Sequence, residues 1–224
     1  MDKIKEKIKH VLPDYTTGEE VLNMVSHIVG GAFGIVVLVL CVIKAAIGGA
    51  WYDVVGCAIY GASMIIVYTM SSVYHGLHRN RAKKVMRVLD HCMIYLLISG
   101  TYTPILISAI IPENPLVGWI IFGIEWGGTA LAATLTAVDM KKFNAFSMSC
   151  YIIMGWCVIA VAPVAMRAMS FNGFMFVLAG GIAYTIGAVL YGIGKKKKYI
   201  HGVFHIFVVL GSVLQFLGVY FYCI

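Results

Sequence analysis

Long apolar runs, separated by short polar or Pro/Gly-marked breaks, dominate the chain from residue 24 onward. Seven stand out, at residues 24–43, 54–75, 88–110, 116–138, 145–165, 172–193 and 201–222. Each is close to the ~20 residues an α-helix needs to cross a bilayer's hydrocarbon core. The runs are continuous and do not alternate apolar with polar at every second position, which excludes a membrane β-barrel. The expected fold is therefore all-α, a polytopic seven-transmembrane helix bundle. Residues 1–23 are expected to form a basic cytoplasmic segment ahead of a 24–224 core domain.

Composition agrees. Of 224 residues, 61% are hydrophobic and 12% charged, whereas a soluble domain carries about a quarter charged residues. The polar stretch up to Glu20 lacks the short apolar core and small-residue cleavage site of a secretory signal, so the first run is expected to remain as a span. Six cysteines are scattered with no CxxC pair, which reads as buried small hydrophobes.

The basic residues set the orientation. Fifteen of the 17 Lys and Arg fall in the N-terminal segment and in loops 78–87, 139–144 and 194–199, with only Lys44 and Arg167 on the other side. Short loops rich in Lys and Arg stay in the cytoplasm. The N-terminus is thus expected inside and, after seven crossings, the C-terminus outside. The net charge of +7 then points to anionic headgroups of membrane lipids, not to nucleic acid.

With that orientation, several polar residues share one depth. Ser71 and His75 end the second span, Asp90 opens the third, and His201 and His205 open the seventh. Positions i and i+4 share a helix face about 6 Å apart, so SxxxH and HxxxH each aim two groups at one point. An ionisable group inside a span is costly and marks a functional site. Taken singly, each has a blander reading. The histidines can contact headgroups, Ser71 can bond its own helix backbone, and Asp90 can simply favour a helix N-terminus. Their convergence from three helices points instead to a metal site. Three neutral imidazoles with a fourth position left for water are the pattern of catalytic zinc.

His91 points about 100° away from Asp90 around the helix and is not expected to be a ligand. His78 and His10 lie in basic segments suited to headgroup contact. Glu20, Asn23 and His27 approach the same face from the first span, either as a second polar shell around the metal or as helix caps and interhelical hydrogen bonds. Glu125 stands mid-span, as an interhelical carboxyl or part of an ion path. Gly30, Gly34, Gly123, Gly127 and Gly187 are expected to permit close helix packing.

At these residues the sequence resembles a known family. Glu20-x-x-Asn23-x-x-Ser26-His27 enters the first span, Ser71-x-x-x-His75 ends the second, and Leu89-Asp90 opens the third. Gly100-Thr-Tyr-Thr-Pro104 follows, and His201-x-x-x-His205 opens the last. In this order and topology the chain is similar to the hemolysin III family of bacterial membrane proteins, within the progestin and adiponectin receptor superfamily. The resemblance implies a bacterial inner-membrane protein with zinc on His75, His201 and His205, Asp90 at the zinc water and Ser71 beside it. It also implies hydrolysis of a ceramide-like lipid amide or ester at the cytoplasmic leaflet.

Such a reaction needs a base, and there is no HExxH glutamate, so that role falls to Asp90 from another helix. Two other functions stay open at this point. One is a pore-forming cytolysin, as the family name suggests, although the polar residues gather at one face. The other is a sensor in which a fourth protein ligand closes a structural zinc shell.

Overall fold

The computed structural model describes residues 12–224. His10 and the four N-terminal lysines expected at the cytoplasmic face lie outside the described residues. Among the described residues the chain is all-helical, with no strands. In chain order the elements are α1 (Thr17–Gly48), α2 (Trp51–Gly76), α3 (Arg81–Pro104), α4 (Pro115–Val138), α5 (Asn144–Gly155), α6 (Cys157–Ala160), α7 (Ala162–Gly194) and α8 (Ile200–Tyr222). A π-helical segment, Ile105–Ile110, and a turn, Ile111–Glu113, extend α3. Six of these helices, counting α3 with its extension as one, are long and apolar enough to cross a membrane.

The first helix begins well before its apolar run. Thr16 and Glu19 form a capping box, with Glu19 Oε2 accepting from the Thr16 backbone at 2.9 Å, which satisfies helix donors that would otherwise lack partners. Thr17–Asn23 therefore form the first turns of α1. The first two turns carry Glu19, Glu20 and Asn23 into the bundle, which hydropathy alone does not reveal.

Proline explains the π-helical segment. Pro104 has no N–H to continue the α-helical ladder, and beyond it the Ile111 N–H reaches back five residues to the Leu106 carbonyl.

The expected single helix at 145–165 is instead three pieces. Trp156 (φ −101°, ψ 4°) and Val161 (φ −121°, ψ 23°) interrupt it, with Gly155 before the first break and Pro163 after the second. Tyr102 of α3 stitches the first break. Its hydroxyl donates to the Gly155 carbonyl at 3.0 Å and accepts from Val158 N–H at 2.9 Å. The break expected between the 145–165 and 172–193 runs is reduced to a kink inside α7. Ser170 takes φ 63°, ψ 167°, and its hydroxyl accepts from Gly173 N–H at 3.5 Å in the manner of a helix cap.

Helices α1 and α2 pack so closely that a Cβ on Gly61 would lie 2.5 Å from Leu38 Cα, and one on Gly30 would lie 2.8 Å from the Tyr68 ring. Gly123 and Gly127 do not follow the expectation. They have no neighbouring atoms within 4 Å of a built Cβ, because Glu125 between them takes the inward-facing position on α4.

Candidate metal centre

His75, His201 and His205 come together at one end of the bundle, all three buried. One ligand nitrogen from each lies within 4.8 Å of the others, a geometry able to hold a metal ion. The last turns of α2 carry His75 and the first two turns of α8 carry His201 and His205. Their placement follows from the ends of those helices and from how α8 is anchored. Tyr199, in the left-handed region at φ 62°, gives its backbone N–H to Glu19 Oε1 at 2.8 Å. The start of α8 is thereby tied to the start of α1.

The surrounding hydrogen bonds select the imidazole tautomers. A carboxylate can only accept, so His75 donates Nδ1–H to Glu20 Oε2 at 2.6 Å. Its Nε2 is then a lone pair, and this buried atom has no partner among the described residues. A backbone carbonyl also only accepts, so His205 donates Nδ1–H to Asn23 O at 3.2 Å. That turns the His205 Nε2 lone pair toward His201 Nε2, 3.1 Å away. An orphaned Nε2 beside two facing Nε2 atoms is a donor set that could hold a metal ion.

Glu20 itself is held by Lys83, which sequence reasoning missed. Lys83 Nζ donates to Glu20 Oε1 at 2.6 Å and to the Leu77 carbonyl at 3.0 Å, and the residue is buried. In the sequence it is one of five basic residues in a short loop. The one available signal is Asn80, which caps α3 by accepting from Lys83 N–H at 2.9 Å and so draws Lys83 into a helical first turn. Tyr15, just ahead of α1, stacks on His201 at 5.0 Å, and burial pushes its phenol pKa well up.

The remaining residues from the sequence divide. Asn23 reaches His205 through its backbone, and its side-chain Nδ2 lies 3.4 Å from His75 Nδ1. His27 makes no hydrogen bond to His75, His201 or His205. It stacks on His205 at 3.7 Å instead. Ser71, Asp90 and His27 line a cavity of about 160 Å³ together with His201 and His205. His91 lines it too, with its ring nitrogens near Arg87 O at 2.9 Å and Tyr191 OH at 3.2 Å. From Asp90 the cavity runs along α3 to Tyr102, about 18 Å at helical rise. Its deeper walls are largely apolar, with Leu97, Ile98, Ile152 and Val208 among them. Glu125 lies elsewhere, fully buried on α4.

The sequence profile of the family described as Haemolysin-III related matches residues 15–216. The chain belongs to this family. It is 35% identical over 204 residues to Hemolysin-3 of Bacillus cereus, covering 91% of each chain. It is 33% identical over 210 residues to the Hemolysin-3 homolog of Bacillus subtilis (strain 168), covering 94% of this chain and 97% of that one. A more distant similarity, 23% over 172 residues, links it to the human Monocyte to macrophage differentiation factor, covering 73% of this chain and 68% of that one. With its six apolar helices, this haemolysin-III relative is a multi-pass protein of the bacterial cell membrane.

Proposed function

We propose that this haemolysin-III relative is a zinc-dependent hydrolase of a membrane lipid amide or ester, working at the cytoplasmic leaflet. The carrying observation is that His201, His205, Ser71 and Asp90 share one cavity with an apolar extension, with His75 clustered beside the two histidines. The histidine layer lies at the lysine-rich end of the bundle, which fits a cytoplasmic site and an inside N-terminus. Seven crossings follow if the broken segment from α5 through the first turns of α7 crosses as one discontinuous span.

His75, His201 and His205 would hold the metal. Two ligand nitrogens on one tetrahedral zinc stand about 3.4 Å apart, given Zn–N distances of about 2.0–2.1 Å, close to the 3.1 Å between His201 and His205 Nε2. A zinc bound there lowers the pKa of its water towards about 7 and polarises a carbonyl.

The protein's own groups do the rest. Asp90 stands in the cavity wall as the base that takes a proton from water and returns it to the leaving group. Ser71 donates its hydroxyl proton to the substrate carbonyl oxygen. Glu20 and Lys83 keep His75 in its ligand tautomer. The cavity's reach of about 18 Å compares with the ~15 Å of one leaflet's hydrocarbon, which suits a chain entering from the membrane. Its volume sets a limit. A dry cavity of about 150 Å³ takes a benzene-sized molecule, so the protein encloses the reacting end of one chain while the rest of the lipid stays outside.

The test is hydrolysis of lipid amides and esters by zinc-loaded protein in nanodiscs, beside Asp90→Asn. The variant is expected to keep its zinc and lose at least about 100-fold in rate. Full turnover in Asp90→Asn would remove the assigned base.

A further inference from the structure

We propose that His27 is a ligand-contacting residue: with Ser71 it forms a clamp in the cavity for a group that presents both a hydrogen-bond acceptor and a donor. The inference deepens the hydrolase reading above and rests on it for the position of the reacting group.

Three polar residues on one helix behave differently. Glu20 and Asn23 both contact ligand histidines through hydrogen bonds. His27, one turn further along α1, does not. Its ring is held entirely by its faces and edge, stacked on His205 at 3.7 Å and 19° and set against Tyr68 at 5.0 Å and 69°. The residue is 5% exposed, yet neither Nδ1 nor Nε2 has a partner among the described residues. The Ser71 hydroxyl, at 1% exposed, is unpartnered in the same way. Both residues line the cavity that holds His201, His205 and Asp90.

Buried polar atoms are almost always satisfied, and here two unsatisfied residues line one cavity, which leaves a molecule in that cavity as a source of partners. A neutral imidazole brings one N–H and one lone pair, and a hydroxyl brings one donor and two lone pairs. A ligand that can only accept leaves the His27 lone pair bare, and one that can only donate leaves its N–H bare. A secondary amide meets both needs, because its carbonyl accepts and its N–H donates. A site with such unpaired groups discriminates against an isostere lacking one partner far more strongly than an apolar pocket does. His27 is thus the residue that makes the site sensitive to a donor beside the carbonyl.

The experiment uses zinc-loaded protein in nanodiscs and two probes of equal shape. These are N-methyldodecanamide and its ketone isostere, in which CH2 replaces the N–H. Affinities are read by calorimetry and zinc content by mass spectrometry. Wild type is expected to bind the amide about tenfold more tightly than the ketone. His27→Phe keeps a ring on His205 and is expected to keep its zinc, while amide affinity falls to the ketone's. The proposal is overturned if wild type shows no preference, if His27→Phe retains it, or if His27→Phe sheds its zinc. Should His27→Phe fail to fold, His27→Gln carries the same test. It keeps a donor and an acceptor, so lost preference there overturns the clamp. Beside it His27→Asn serves as a second variant whose short amide does not reach the ring's position, so its lost preference supports the clamp and its retained preference overturns it. A wild-type protein without zinc would defeat the hydrolase reading separately, since amide preference is read by binding alone.

Discussion

Glu20 accepts the Nδ1 proton of His75 at 2.6 Å, so whatever fixes Glu20 also fixes the imidazole. Lys83 does this from the other carboxylate oxygen, again at 2.6 Å. The chain Lys83–Glu20–His75 crosses three helices and ends on an unpartnered ligand nitrogen.

Lys83→Met is therefore expected to weaken metal binding about 10- to 100-fold, as loss of a ligand-orienting partner does. It should also destabilise the protein by about 3–5 kcal/mol, because Glu20 is left as an uncompensated, largely buried charge. The double variant Glu20→Gln/Lys83→Met should regain part of that stability without regaining affinity. Metal titration and thermal unfolding in detergent check both. A Lys83→Met protein with unchanged affinity would show that the chain is not used.

Close approach of α1 and α2 yields a second expectation. Gly61→Ala drives a methyl to within 2.5 Å of Leu38 Cα, a backbone contact with no side chain to yield, and should cost about 1–3 kcal/mol. Gly123→Ala and Gly127→Ala meet nothing within 4 Å. They should be neutral or stabilising by up to about 1 kcal/mol through helix propensity. Thermal unfolding of the three variants side by side would expose an error if their order were reversed.

The two hydrogen bonds from Tyr102 to the ends of the first break predict a third outcome. Tyr102→Phe leaves the Gly155 carbonyl and the Val158 N–H unpaired in an apolar setting, at about 1–3 kcal/mol. Zinc content should be unchanged, since Tyr102 is about 18 Å along α3 from Asp90. Hydrogen exchange at Val158 should rise, and protection as strong as wild type would contradict the stitching role.

These cases mark what the sequence could disclose. His75, His201 and His205 were legible because i, i+4 spacing and charge asymmetry are local properties that survive folding. Lys83 was not, because in the sequence it is one more cation in a basic loop. Only the turn of α3 beneath Glu20 makes it an interior partner. The interruption at Gly155–Val161 was hidden because apolarity averaged over a run is blind to backbone dihedrals. Gly123 and Gly127 misled because spacing says that two glycines share a face, not that a neighbour lies against it. His27 was visible as a polar residue near the site. Its orphaned nitrogens became apparent only once its neighbours were known.

The central claim is that His75, His201 and His205 hold zinc, and metal content tests it most directly. Freshly purified, folded wild-type protein, measured by mass spectrometry, should carry about one zinc per chain. A His75→Ala/His205→Ala variant should carry almost none. Folded wild-type protein with no bound metal, or a variant that keeps its full zinc, would contradict the account.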